Sequence, residues 1–403
     1  MVEPLPALVT EADEVAAITA AITAAGTMAI DLEFVSQDRF RPDLALVQVG
    51  WCPDGDPSQV EVRLLDPTAA DVGPVIALCG GAVEVIAHAP RQDLQILGTR
   101  YGLRARRVFD TQTAAAFANL GDQVGYARLV EALLGLRLGK EAQWTDWLRR
   151  PLAPDQLRYA DADVRHLPAL AHALRRSLAA LGRAAWVVDE CDAIAEVAHR
   201  AATLATEEAW REVAGARQLE LSGRAAARRL AAWRIETAAQ INQPVSWLLG
   251  DRALIDLARA RPRDERGLKN IKLPEAARRH VDALLGVIAQ AADDGPEGLE
   301  VAVVTVAGGP RAQVWEEVIV ALVQAASEDS GIPARYLATR GDAADVARAL
   351  DARTDRAWDQ VAHPLFTGWR REVVGGAILA WMSGQAMLAA DPSATSGVRL
   401  RPQ

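Results

Sequence analysis

The stretch Ala29 to Phe34, reading Ala-Ile-Asp-Leu-Glu-Phe, sets two acids inside what otherwise has the pattern of a buried strand. Side chains of an extended chain alternate faces, so Asp31 and Glu33 leave the same side of a sheet. Two anions held that close repel unless positive charge lies between them. Hard oxygen ligands at strand spacing suit a divalent cation such as Mg²⁺. The alternative is a strand whose outer face is simply solvated, and the rest of the chain has to decide between the two.

From Thr27 to Asp66 three strand-like segments follow one another, Thr27 to Phe34, Leu44 to Trp51 and Val60 to Leu65, with Pro42 and the run Pro53 to Pro57 marking the turns. Helical and strand patterns then alternate as far as Thr111, which predicts a mixed sheet flanked by helices, an α/β domain. Beyond Pro154 the pattern is helical with almost no strand alternation. A chain of 403 residues, 50% hydrophobic and 24% charged, is expected to fold into several globular domains. The first ten residues lack a basic start and an apolar run, and charge interrupts every apolar stretch before the ~20 residues of a membrane span. These features predict a cytoplasmic protein with no membrane partner. Cys52, Cys79 and Cys191 stand alone and far apart, which predicts buried thiols rather than disulfides or a zinc site.

Two further places supply acids. His88-Ala89-Pro90-Arg91-Gln92-Asp93 leads from a strand into a helix, and Asp93 falls near the helix start, where the dipole favours an ionised carboxylate. A simple helix-capping role is the alternative there. Pro154 to Leu167 reads as a helix holding Asp161 and Asp163. Tyr159 and Asp163 lie roughly 40° apart around its axis and one turn apart, whereas Asp161 points to the far side. His166 is near the same face but reads as a packing or rim residue.

Together these residues resemble the ribonuclease D family of the DEDD exonuclease superfamily, tyrosine subclass, over about Pro6 to Leu181. The resemblance rests on Ile30 to Phe34 with Phe40 to Gln48, His88-Ala89 with Asp93 to Leu97, Val108 to Gln112, Gly121 to Leu129, and Thr145 to Leu152 running into the Tyr-x-x-x-Asp helix. It implies a ribonuclease H-like fold in which Asp31, Glu33, Asp93 and Asp163 hold two divalent metal ions, Mg²⁺ or Mn²⁺, with no organic cofactor. Tyr159 would orient the attacking water or help deprotonate it. The implied activity is stepwise release of nucleoside 5′-monophosphates from RNA 3′ ends, with tRNA precursors the leading substrate. Around Lys140 this chain has Glu141, Ala142 and Trp144 where the family more often has Ser, Glu and Arg, so RNA contact by Lys140 is less firmly implied than the metal ligands. The glycines near Lys140 do not make a phosphate-binding loop, because Glu141 stands where Ser or Thr is required.

The helical half contains a repeat. Aligning Pro244 with Pro333 matches Leu248 with Leu337, Trp247 with Tyr336, Asp256 with Asp345 and, after a small shift, Arg278-Arg279 with Arg370-Arg371. The first copy resembles the HRDC domain, an auxiliary nucleic-acid-binding helical bundle, and the second is a divergent copy. The expected division is an exonuclease domain at 6–181, a helical linker at 182–213, all-α HRDC-type bundles at 217–292 and 301–388, and a tail at 389–403. The net charge of -9 argues against indiscriminate nucleic-acid coating. Locally, however, Arg259, Arg261, Arg263, Arg266, Lys269, Lys272, Arg278 and Arg279 form a candidate RNA-binding patch in the first bundle. The second bundle is acidic in its middle, so packing on the nuclease domain is an alternative there to binding nucleic acid. Trp233, Trp247, Trp369 and Trp381 read as core. The chain is therefore expected to be a monomeric, metal-dependent 3′–5′ exoribonuclease. Alternatives are the same chemistry on DNA, or an RNA-binding scaffold whose nuclease domain is vestigial, against which the intact acid set argues.

Overall fold

Strands that must lie in the middle of a sheet are apolar on both faces, and Asp43–Trp51 is buried at every residue but the first. It lies between Thr27–Val35 and Glu61–Leu65, antiparallel to both. In this structure, a computed structural model describing residues 5–139, 145–294, 299, 309–353 and 357–403, the six strands are β1 (Leu8–Val9), β2 (Thr27–Val35), β3 (Asp43–Trp51), β4 (Glu61–Leu65), β5 (Glu84–Ala87) and β6 (Val108–Asp110). Their order is β1-β4-β3-β2-β5-β6, with β5 and β6 parallel to β2. The mixed sheet expected from the sequence is present, and helices cover both faces.

On one face Met28, Ile30, Leu32, Val47 and Val49 pack with Val15, Ile18 and Ile22 of the helix Ala12–Ala25. On the other, Ala29, Leu46, Leu64 and Ile86 pack with Ala160 and Val164 of the helix Pro154–Arg165 and Leu167 and Leu170 of the next. Asp31 and Glu33, two and four residues on from Ala29, belong to this second face. Arg150 fixes the chain just before that helix: its guanidinium grips Asp66 at 2.5 and 2.9 Å and donates to the Ala45 carbonyl at 2.8 Å. Burial pushes Asp66 up, but Arg150 and Thr68 outweigh it and hold the carboxyl below its usual range.

The segment expected as a linker contains the helix Ala184–Thr203, which lies along Arg91–Tyr101 and buries Cys191, Ala195 and Ala198. Their approach is close enough that a Cβ on Gly98 would come within 2.5 Å of the Ala202 Cβ. All three cysteines are buried free thiols.

Both helical modules show the same plan: a long helix, a four-residue helix entered through proline, and a further helix. In the first these are Leu221–Gln240, Val245–Leu248 and Asp251–Ala260; in the second, Pro310–Ser330, Ala334–Leu337 and Arg340–Ala352. The matched Leu248 and Leu337 are both buried. The first module has a core of its own. The second shares one with the nuclease domain, where Trp369 sits edge-on to Phe117 and stacked on Trp186, and Arg370 pairs with Glu190 at 2.8 Å.

Two expectations are corrected. Strands do occur late in the chain: Ala386–Ala390 and Val398–Pro402 form an antiparallel hairpin, so the expected tail is partly strand. Ala-Met-Leu-Ala-Ala has no β-branched residue and no regular alternation, which is why its sequence carries no strand signal. Trp247 is not core but 53% exposed, because a four-residue helix has only one buried position, taken by Leu248. Trp369 is buried, and Trp233 and Trp381 are partly buried. Among the described residues no helix is long and apolar enough to cross a membrane.

Replacing Arg150 by Ala leaves the Asp66 carboxylate buried with only Thr68 beside it. The expected loss is about 3 kcal/mol of unfolding free energy, measured by urea denaturation at neutral pH.

Candidate active site

Three structural elements deliver the acids. The register of β2 on β3 shifts between Glu33 and Phe34, so the strand is irregular directly after the acidic pair. Asp93 lies in the first turn of Arg91–Tyr101. The turn before it is held from β6: the Asp110 carboxylate accepts the Ala89 amide at 2.8 Å, at a residue with φ of +51°, and caps its own helix through Gln112 N at 2.9 Å. The third element is the helix Pro154–Arg165. It is started by Gln156, whose side chain accepts from Ala153 N and donates to Thr145 and the Asp146 carbonyl. It is braced by Tyr126, whose hydroxyl donates to the Ala162 carbonyl at 2.8 Å.

The result is convergence. Ligand oxygens of Asp31, Glu33 and Asp163 all lie within 4.8 Å of one another. Asp93 falls outside that tight group but is close enough to Asp31 to feel its charge. Asp161, by contrast, is held by Arg165 at 2.5 and 2.6 Å. Tyr159 and Asp163 are close enough for each to shift the other's proton, and a hydroxyl there is suited to donate to the carboxylate. Beside them opens a cavity of about 400 Å³ lined by Gly125, Tyr126, Arg128, Leu138, Tyr159 and Asp163.

Burial and mutual repulsion dominate the electrostatics. Burial raises Asp31 to about 6. Burial, then the charges of Asp31, Asp163 and Asp93, raise Glu33 to about 9. Burial and Asp31 raise Asp163 to about 8, and the same two causes raise Asp93. Tyr159 is pushed well above its ordinary value, by burial first and then by Asp163. Among the described residues no cationic side chain contributes to keeping these acids ionised. Converging carboxylates without a cationic partner are the donor set of a hard divalent cation. The residues therefore fit such an ion, with Asp31, Glu33 and Asp163 the group able to hold it and Asp93 at its edge.

Of the remaining expected residues, Arg259, Arg261, Arg263, Arg266, Lys269, Lys272, Arg278 and Arg279 are all exposed. Among the described residues only Arg279 of this set enters an ion pair, with Glu275 at 3.9 Å. Lys140 lies outside the described residues. Sequence reasoning singled out neither Tyr126 nor Arg128, although both sit in the Gly121 to Leu129 segment that carried part of the resemblance. It also gave Asp110 no role, because a carboxylate serving a turn 21 residues earlier leaves no local pattern.

The sign of the pH dependence follows. Acids whose values are raised in the fold favour the metal-free protein while protonated, so its stability should fall as pH rises through the window from about 6 to about 9. A cation binds the ionised form, so Mn²⁺ affinity should strengthen over the same window and binding should release protons. Thermal unfolding in EDTA and calorimetric Mn²⁺ titration in buffers of different ionisation enthalpy measure both.

Comparison with known proteins agrees with the geometry. Residues 6–179 match the 3′-5′ exonuclease family model and residues 224–288 match the HRDC domain. A ribonuclease D of Granulibacter bethesdensis is 32% identical over 395 residues, covering 96% of this chain and 95% of that protein. That of Acidiphilium cryptum is 33% identical over 407 residues, with 96% and 95% covered. The crystal structure of Escherichia coli RNase D, described as an exoribonuclease involved in structured RNA processing, matches with a TM-score of 0.78 at 27% identity, covering 94% of this chain and 99% of that one. The chain belongs to the ribonuclease D family and is a 3′–5′ exoribonuclease.

Proposed function

We propose that this exoribonuclease trims the 3′ ends of structured RNA precursors, tRNA foremost, releasing nucleoside 5′-monophosphates with two divalent cations at Asp31, Glu33, Asp93 and Asp163. The observation that carries the proposal is the approach of Asp31, Glu33 and Asp163 to within 4.8 Å, beside Tyr159 and an open cavity. Bound cations supply the positive charge that a phosphodiester and its attacking water need in a two-metal displacement. The protein supplies the rest. Asp31 and Glu33 fix the ion site to the sheet, and the helix that brings Asp163 brings Tyr159 one turn away. Burial and its acidic neighbours keep the Tyr159 hydroxyl protonated, which suits it to orient the water rather than to act as a strong base. Arg128, exposed on the cavity rim, is placed to meet the phosphate of an entering strand.

The proposed division of labour is a nuclease domain at 6–181 and an RNA-holding bundle at 217–292, with the second bundle at 301–388 serving as a brace. The repeat supports this. Tyr336 and Arg370 of the second copy are spent on Phe117 and Glu190, whereas their counterparts in the first copy, Trp247 and the Arg278-Arg279 pair, are exposed. The short helix bearing Trp247 packs against Glu275–Arg278, and an exposed aromatic with cations in neighbouring elements suits single-strand binding.

The first test incubates 3′-extended tRNA and matched DNA with Mg²⁺, Mn²⁺ or EDTA, comparing the wild type with Asp31→Asn. Ribonucleoside monophosphates are expected from the wild type with metal only, and activity surviving in Asp31→Asn rejects the metal-site assignment. DNA cleaved faster than RNA rejects the substrate. A second test replaces Arg278 and Arg279 by Ala. The slope of log affinity against log salt is expected to flatten by about 1.4, at ~0.7 per lost single-strand phosphate contact, with single-turnover cleavage at saturating RNA little changed. An unchanged slope removes these two arginines from the RNA surface.

A further inference from the structure

The sheet face that carries the carboxylates also carries Gln48. On β3 it pairs directly with Asp31 of β2 on one side and Leu64 of β4 on the other, so the three side chains leave the sheet together. Gln48 is fully buried, at 0% exposure. Neither its Oε1 nor its Nε2 has a hydrogen-bond partner among the described residues. An amide offers two donor hydrogens and an acceptor oxygen, and burying them unpaired is unfavourable. The chain does not neglect buried amides in general, since Gln156, 7% exposed, is bonded at both ends of its amide.

The positions directly beside Gln48 in the sheet are apolar but for one. Leu46 and Gly50 flank it along the strand and Leu64 lies across, with Ala160 and Val164 in the helix that covers this face. Of its two direct cross-strand partners, Leu64 and Asp31, only Asp31 is polar, with Glu33 the next acid along the same face. A leucine or valine would suit a strand reading Leu-Ala-Leu-Val-Gln-Val better, unless the amide serves the acid beside it. Buried waters typically settle where such unsatisfied polar groups face one another.

We propose that Gln48 is a positioning residue of the metal site: through one bridging water, its amide orients the Asp31 carboxylate for cation binding. The inference rests on the cation reading of the site given above. Outer groups that orient metal-ligating carboxylates commonly contribute about 10- to 100-fold to metal affinity. An amide suits this place because it is neutral and adds no further anion to an already crowded set.

The experiment uses the full-length Gln48→Met variant, similar in length but without the amide, beside Asp31→Asn and the wild type. Mn²⁺ alone is titrated calorimetrically, and thermal unfolding is followed in EDTA. Gln48→Met is expected to bind Mn²⁺ about tenfold more weakly while melting in EDTA at or above the wild-type temperature, since an apolar side chain of similar length replaces a buried polar one. Wild-type Mn²⁺ affinity in Gln48→Met, with binding lost in Asp31→Asn, overturns the inference and leaves the metal site standing. Undiminished binding in Asp31→Asn overturns both. A lower melting temperature in EDTA, or failure to fold, overturns the role of Gln48 whatever the Mn²⁺ result, because the amide would then be holding the sheet together.

Discussion

The structure depends on forcing like charges together. Were they all ionised, each pair among Asp31, Glu33 and Asp163, whose oxygens lie within 4.8 Å, would repel by roughly 3 kcal/mol or more at an effective dielectric of about 20. The fold has to offset this without a cationic side chain inside the group. It does so with the helix Pro154–Arg165, whose Ala160 and Val164 are fully buried against the sheet and carry Tyr159 and Asp163 over the acidic strand. Small apolar residues at the contact let helix and sheet come close, and that closeness brings the oxygens together.

That placement is secured at several points far apart in sequence. The Arg150 fork on Asp66 holds the approach to the helix, Gln156 starts it, and Tyr126 braces its last turn from a separate element. Asp110 does the same for the turn that leads to Asp93. None of these residues is a candidate metal ligand. Each spends polar groups on backbone atoms, neutral hydroxyls or an opposite charge, which leaves the carboxylates as the place where charge is unbalanced. An ion-binding site is stable in this form because protons neutralise it until a cation arrives.

The helical half shows how one supersecondary plan serves two ends. Both modules enter a four-residue helix through proline and bury the leucine that ends it. In the second, Tyr336 is turned against Phe117 and Arg370 against Glu190, while Trp369 stacks on Trp186, and the module merges with the nuclease core. In the first, the matched positions stay in solvent among the cations from Arg259 to Arg279. The sequence repeat revealed the shared plan, while the opposite fates of Trp247 and Tyr336 depend on what each module packs against. Trp247 was therefore misread as core from its apolar neighbours.

Much of the active site was legible in the chain because its signals are local. Strand alternation puts Asp31 and Glu33 on one face, and helical periodicity puts Tyr159 with Asp163 and sends Asp161 away, where Arg165 takes it. The sheet could be read for the same reason, since its strands are short apolar runs between turn residues. What no window of sequence contains is distance. Tertiary structure alone brings helix and sheet oxygens within 4.8 Å, sets Asp93 at the edge of that group and places Gln48 directly opposite Asp31. Periodicity decides which way a side chain faces along its own element, and only the packing of elements decides what it faces.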